Sequence, residues 1–483
     1  MEWTSSSPFV LSANLHGGSV VASYPYDDSD PKLNRTSVYS KSPDDLFFRD
    51  LATGYASRNP LMGSGNPHCP DKETFPGGVT NGADWYDVSG SMQDWNYVFT
   101  NTFEVTFELS CCKFPLASQL PLEWQRNRAS MLWFTGQVHR GAKGVVKDNE
   151  TLKPIHGAKV KIVGNTHHVV TSKRGEYWRL LMPGNYSLVV EADGYETSPM
   201  LNFTVGEDLD PKWLDVNLSR SLKPSKSEGI AWVPRKLPVQ NLTDSVPDLS
   251  KNSASSEAGV PALDFVHHNY SSMQSWLQSA CAARPEICAL RSVGKSVEER
   301  ELWTVLITGN IKGSQVGKPE VCYIANMHGD EAVGLELMLH LIRKFLLGYG
   351  KVDRVTKLLD ETRIYIMPSM NPDGHEHAYE EYQRLRTSSL PRSDPTQTVP
   401  YDPIPSKPSI FYLPPVHQGI SGFVLDEATG SPIVSGASED DQKRDIRIYV
   451  EGNDRSVGVS KAGEYFRLLL PGSYVIWAED HTS

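Results

Sequence analysis

The chain has 483 residues, room for about three domains at roughly 150 residues each, and its 39% apolar and 22% charged composition excludes global disorder. No apolar run approaches the roughly 18 residues that a membrane-spanning helix needs, so no membrane span is expected. Lys and Arg number 47 against 58 for Asp and Glu, and the net charge of -11 disfavours a nucleic acid as the main partner, because phosphates are gripped by basic surface.

In chain order, residues 1–136 open with the apolar run Phe9-Val10-Leu11-Ser12-Ala13-Asn14-Leu15 and carry a helical pattern over 43–57. Residues 137–220 are short alternating stretches such as Tyr186-Ser187-Leu188-Val189-Val190, bounded by Gly and Pro, which read as a small antiparallel β-sandwich with a structural role. Residues 221–260, rich in Ser, Pro, Lys and Asp, read as a linker. Residues 261–385 alternate strand and helix: strands over 301–308 and 321–326, a helix over 332–347, a strand over 363–367. Residues 386–415 are irregular, since eight prolines fall within 391–415. Residues 416–483 repeat the sandwich: Val138 to Asp148 matches Val416 to Asp426, and Gly175 to Tyr186 matches Gly463 to Tyr474.

The opening Met1-Glu2-Trp3-Thr4 has neither a basic n-region nor an apolar h-region and is not a signal peptide. Yet seven N-x-Ser/Thr sequons (Asn34, Asn149, Asn185, Asn202, Asn217, Asn241 and Asn269) lean toward the secretory pathway or an extracellular site, so the start of the protein is expected to be missing. The six cysteines form no C-x-x-C pair, which excludes a zinc ribbon.

Five stretches carry chemistry. In Asn326-Met327-His328-Gly329-Asp330-Glu331, a His leaves a strand and a carboxylate follows three residues on, expected in the first helical turn. Neutral imidazole and carboxylate together suit Zn2+, and a catalytic site adds a third protein ligand and an open position. The strand Arg363 to Met367 runs toward Asn371-Pro372-Asp373-Gly374, a turn signal. His16, in Asn14-Leu15-His16-Gly17-Gly18, also ends an apolar run. The segment from Gly82 to Tyr97 is polar, aromatic and glycine-rich, as a mobile binding loop is. In Phe103 to Cys112, Glu104 and Glu108 share one face of a strand so apolar that a carboxylate there needs a partner or a task.

Together these motifs resemble the metallocarboxypeptidases of the regulatory N/E type, and they stand in the family's order. The resemblance implies an α/β mixed-sheet catalytic unit followed by a transthyretin-like all-β sandwich, with one Zn2+ per complete unit. It also implies removal of C-terminal Arg or Lys from peptides and proteins. His328 and Glu331 match the first two zinc ligands and His16 the third. Glu108 matches the general base and Tyr86 the mobile tyrosine. Asp27 matches the acid that reads the basic side chain, with Gln93 in the loop lining its pocket. The resemblance pairs Cys69 with Cys111 or Cys112.

The chain departs from this pattern. Residues 1–136 resemble only the C-terminal half of a first catalytic unit and residues 261–385 only the N-terminal half of a second. The family's carboxylate-binding Arg-Asn block does not follow Gly374. Gly175 and Gly463 lie about 288 residues apart, where a unit, its sandwich and a linker need roughly 400. The expectation is therefore two incomplete units with separate half-sites, exposed half-sheet edges, sub-stoichiometric zinc and little activity. A site combined from both halves is disfavoured. The competing readings are a non-catalytic binding or scaffold protein and a different H-x-x-E zinc hydrolase acting on acylated amino acids.

Overall fold

The computed structural model describes residues 2–29, 37–70, 72–221 and 259–387, and five strands beyond them: Gly419–Phe423, Ile446–Val450, Asn453–Gly458, Glu464–Leu468 and Ile476–Asp480. Most of the expected linker, the proline-rich segment after residue 387, and the sequons at Asn34 and Asn241 lie outside the described residues. The described chain divides into two compact units. Residues within Met1–Pro25, Lys41–Thr80 and Trp95–Tyr412 make the first, and residues within Tyr26–Ser40, Asn81–Asp94 and Leu413–Ser483 the second.

The first unit is built on one sheet of eight strands, in the order Cys288–Lys295, Glu301–Ile307, Arg363–Met367, Glu320–Ala325, Phe9–His16, Phe103–Leu109, Val20–Tyr24, Val79–Asn81. Both half-units contribute to it. The expectation of separate half-sites is corrected by one pairing: Leu11 to Leu15 lie parallel and in register with Val321 to Ala325. The physical reason is burial. Every residue of Phe9–His16 and of Glu320–Ala325 is buried, so each strand has two faces to cover and an edge of polar backbone groups to satisfy. Each half supplies what the other lacks. Phe9–His16 also pairs parallel with Phe103–Leu109, and Glu320–Ala325 with Arg363–Met367, which makes a parallel centre with antiparallel flanks.

Helices Asp45–Ala56, Leu120–Gly136 and Ala332–Gly348 cover the sheet. The last is apolar nearly all round, as a helix buried over most of its surface must be. The Tyr323 hydroxyl donates to the Met131 carbonyl at 2.8 Å, a contact between the two halves across the sheet. Three sequence expectations hold closely: the helix over 43–57, the helix from Ala332, and the strand Arg363–Met367. The turn expected at Asn371-Pro372-Asp373-Gly374 is instead the start of a helix, Pro372–Thr387. Asn371 Oδ1 accepts from the Gly374 backbone N–H at 2.9 Å, and proline at the first helical position has no N–H to satisfy.

Residues 142–218 form two small sheets of a transthyretin-like sandwich. One holds Lys159–Ile162, His168–Val170, Gly184–Glu191 and Leu201–Val205; Ala142–Asp148 is central in the other. Val146, Val160, Tyr177, Leu188 and Val190 fill its core. A buried ion pair holds it to the sheet unit: Arg179 Nη2 lies 2.7 Å from Asp44 Oδ1, with Arg179 fully buried. Tyr97 and Asn165 also donate to Asp44.

In the second unit, Gly419–Phe423 pairs antiparallel with Glu464–Leu468, and Ile446–Val450 lies between Asn453–Gly458 and Ile476–Asp480. Among the described residues no helix is long and apolar enough to cross a membrane. Cys69 bonds Cys111, one of the two partners the resemblance allowed. Cys281–Cys288 is a second disulfide that the sequence did not signal.

Candidate metal centre

Three parallel strands end side by side at the site. His16 closes its strand directly opposite Glu108 in register, so the two side chains share a face. Glu320–Ala325, on the other side of the His16 strand, runs into the loop that carries His328 and Glu331. The crevice beyond the carboxyl ends of parallel strands is where α/β sheets place ligands.

The loop from Asn326 to Glu331 is held by a backbone device. Asn326 adopts a positive φ of 58°, and its Nδ2 donates to the carbonyls of His328, Gly329 and Glu331 at 3.0–3.2 Å. Ser369 Oγ donates to Asn326 Oδ1 at 2.7 Å and fixes that side chain. Any Cβ at Gly329 would collide with the backbone of Gly374, so only glycine fits. Glu331 lies just before the helix Ala332–Gly348 rather than in its first turn as expected, and a carboxylate suits that terminus.

His16, His328 and Glu331 offer ligand atoms that all lie within 4.8 Å of one another. His16 Nδ1 is 2.9 Å from Glu331 Oε2, and His328 Nδ1 is 2.7 Å from Glu331 Oε1. Two imidazole nitrogens thus converge on one buried carboxylate. This donor set, two neutral nitrogens and one oxygen, fits Zn2+ and leaves a fourth position free for water or substrate. Burial opposes ionisation of Glu331, but hydrogen bonds to His16 and His328 outweigh it and hold the carboxyl well below its usual range.

Glu108 is buried, and its Oε2 has no hydrogen-bond partner. Burial first, and the charge of Glu331 second, raise its pKa well above the ordinary value, with Lys113 opposing. A carboxyl with raised proton affinity and a free oxygen beside three metal-type ligands is suited to taking a proton and giving it back. Glu104, four residues earlier, is fully buried and pushed up to about 7 by burial, with the hydrogen bond from Asn96 partly offsetting it. It does not share the metal cluster.

Lys113 was missed. Its Nζ lies 3.0 Å from Glu331 Oε1 and 3.8 Å from Asp330 Oδ2, and its carbonyl accepts from the Ala332 N–H at 2.9 Å. The signal for it was position: it follows Glu108 by five residues and comes directly after the cysteine pair.

In the second unit, Gln93 Nε2 donates to Asp27 Oδ1, so this predicted pair is brought together. Asp94, not singled out by the sequence, clasps the turn by accepting from the backbone N–H of Asp27 at 2.9 and 3.0 Å and of Asp28 at 3.2 Å. A Cβ at Gly82 would collide with the Asp27 carboxylate, so glycine is required there. Tyr86 is half exposed. The segment expected as a loop begins and ends in helices, Gly82–Trp85 and Met92–Phe99.

Residues 1–130 and 273–400 match the zinc carboxypeptidase family, which is more than half of the chain and spans both half-units. The chain belongs to the zinc carboxypeptidase family. Residues 141–219 match the carboxypeptidase regulatory-like domain, which is the sandwich. This chain is similar to carboxypeptidase D of Rattus norvegicus, 40% identical over 95% of this chain and 33% of the relative. It is 44% identical to that of Homo sapiens over 79% of this chain and 27% of the relative. The carboxypeptidase N catalytic chain of Rattus norvegicus is 45% identical over 46% of this chain and 48% of that one. The chain thus spans about a third of the length of the carboxypeptidase D relatives.

Proposed function

We propose that this chain is a zinc metallocarboxypeptidase that removes C-terminal Arg or Lys from peptides and proteins in the secretory pathway or outside the cell. The observation that carries the reading is the convergence of His16, His328 and Glu331, from strands of both half-units, beside a buried Glu108 with a free oxygen. The ligand set is His16, His328 and Glu331. Zinc, when bound, supplies Lewis-acid polarisation of the scissile carbonyl and of a water. Glu108 takes the proton of the attacking water and delivers it to the leaving amine. Glu331, held ionised by the two imidazoles, keeps a negative charge in the ligand set. Asp27 pairs with the cationic side chain of the residue removed, and Gln93 fixes the Asp27 carboxylate. Tyr86, half exposed, closes on the bound peptide. The two disulfides support an oxidising compartment.

On this proposal the chain binds one zinc, against the expectation of sub-stoichiometric zinc, and the convergence of the three ligands supports it. The test is release of C-terminal Arg from a peptide by the purified full chain, followed by mass spectrometry with and without a chelator. Release that stops on chelation supports the reading. Release of C-terminal hydrophobic residues in place of Arg would refute the role of Asp27. One zinc per chain with no release from any peptide would point to the non-catalytic binding protein instead, which the missing Arg-Asn block after Gly374 favours.

A further inference from the structure

A pocket of about 180 Å3 lies in the first unit on strands that carry no metal ligand. Trp3 and Tyr365 line it, with ring centroids 6.5 Å apart and steeply inclined, and Leu306 adds apolar surface. Arg291, Ser7 and Thr304 also line it. The Arg291 guanidinium is exposed and has no ion pair among the described residues. Thr304 is 3% exposed, and its Oγ1 is buried without a hydrogen-bond partner, a costly state for a hydroxyl unless something arrives to meet it. Arg291 and Thr304 are register partners on adjacent strands, so cation and hydroxyl lie at one level of the sheet. No residue lining the pocket is acidic.

We propose that this pocket binds a small monocarboxylate with a flat apolar body, an arylacetate in the simplest case. The size fits: a cavity of about 150 Å3 takes up a single benzene ring in a well-studied engineered protein. The chemistry fits too. Aromatic walls receive the ring, Arg291 offers a charge-assisted hydrogen bond, and the unsatisfied Thr304 hydroxyl supplies a second donor. The position sets it apart from the metal centre. Tyr365 aligns through Cys322 with Ser12, four residues before His16 on its strand, or about 13 Å along the sheet at strand rise.

The experiment titrates the full chain with phenylacetate and, separately, phenylacetamide by calorimetry, in the wild type and in Glu331→Gln, Arg291→Gln and Thr304→Val. The expected result is one-site binding of phenylacetate that persists in Glu331→Gln and weakens at least tenfold in Arg291→Gln and severalfold in Thr304→Val. The neutral amide should bind at least tenfold more weakly than the acid, a comparison that needs no variant to fold. Absence of phenylacetate binding at millimolar concentration overturns the proposal. So does equal binding of the amide. Binding lost in Glu331→Gln would assign the carboxylate to the metal centre and overturn it as well.

Discussion

Replacing Glu104 by glutamine tests how the sheet tolerates a carboxylate at its centre. Glu104 is fully buried on Phe103–Leu109, and burial raises its pKa from 4.5 to about 7, with the hydrogen bond from Asn96 recovering only part of the cost. The unfolded chain releases this proton near 4.5 and the folded chain near 7. Between those values the folded state holds more protons, so stability falls as pH rises through that window. At roughly 1.4 kcal/mol per pH unit, the penalty reaches about 3 kcal/mol above pH 7 and vanishes below about pH 4.5. Glutamine keeps the shape and an acceptor for Asn96 Nδ2, now 2.7 Å from Glu104 Oε2, but carries no charge. Glu104→Gln should therefore be more stable than the wild type by up to about 3 kcal/mol at pH 8 and equal to it near pH 4.5. Urea unfolding at both pH values, followed by far-ultraviolet circular dichroism, reads the difference. Equal destabilisation at the two pH values would mean that the carboxylate is ionised and satisfied in the fold, and the reasoning would fail.

Three further outcomes are expected. Glu331→Gln should lose stoichiometric zinc after dialysis, read by metal analysis, because the two imidazoles alone make an incomplete ligand set. Glu108→Gln should keep its zinc and lose about 10²- to 10⁴-fold in turnover of a peptide ending in Arg, the usual worth of a general base; unchanged turnover would remove Glu108 from the mechanism. Arg179→Met should lower stability by about 3–5 kcal/mol in denaturant unfolding, because Asp44 keeps its donors Tyr97 and Asn165 but loses its buried counter-charge.

The elements and the ligand types were legible because their signals are local. The strand Arg363–Met367 and the helix from Ala332 show in apolar patterning, and His328 and Glu331 in a spacing of three. What was not legible is long-range. Nothing in Phe9 to His16 says that its neighbour is Glu320–Ala325, because the alternation of Leu11, Ala13 and Leu15 with Ser12, Asn14 and His16 assigns faces and not a partner strand. The Pro372 helix was read as a turn because Asn-Pro-Asp-Gly suits both, and only the Asn371 cap decides. Lys113 depends on the fold of the loop after Glu108, which the cysteine pair did not reveal.

The pairing of Leu11 with Val321 has a consequence for assembly. The central seam of the sheet cannot zip until some three hundred residues have been made and brought back, and such distant pairings form slowly, although the entropy of closing a longer loop grows only logarithmically. A metal gripped from both sides of that seam would act as a clasp. Two separately produced lobes, one ending at Ser221 and the other beginning at Gly259, should then find each other in solution, and zinc should tighten their union.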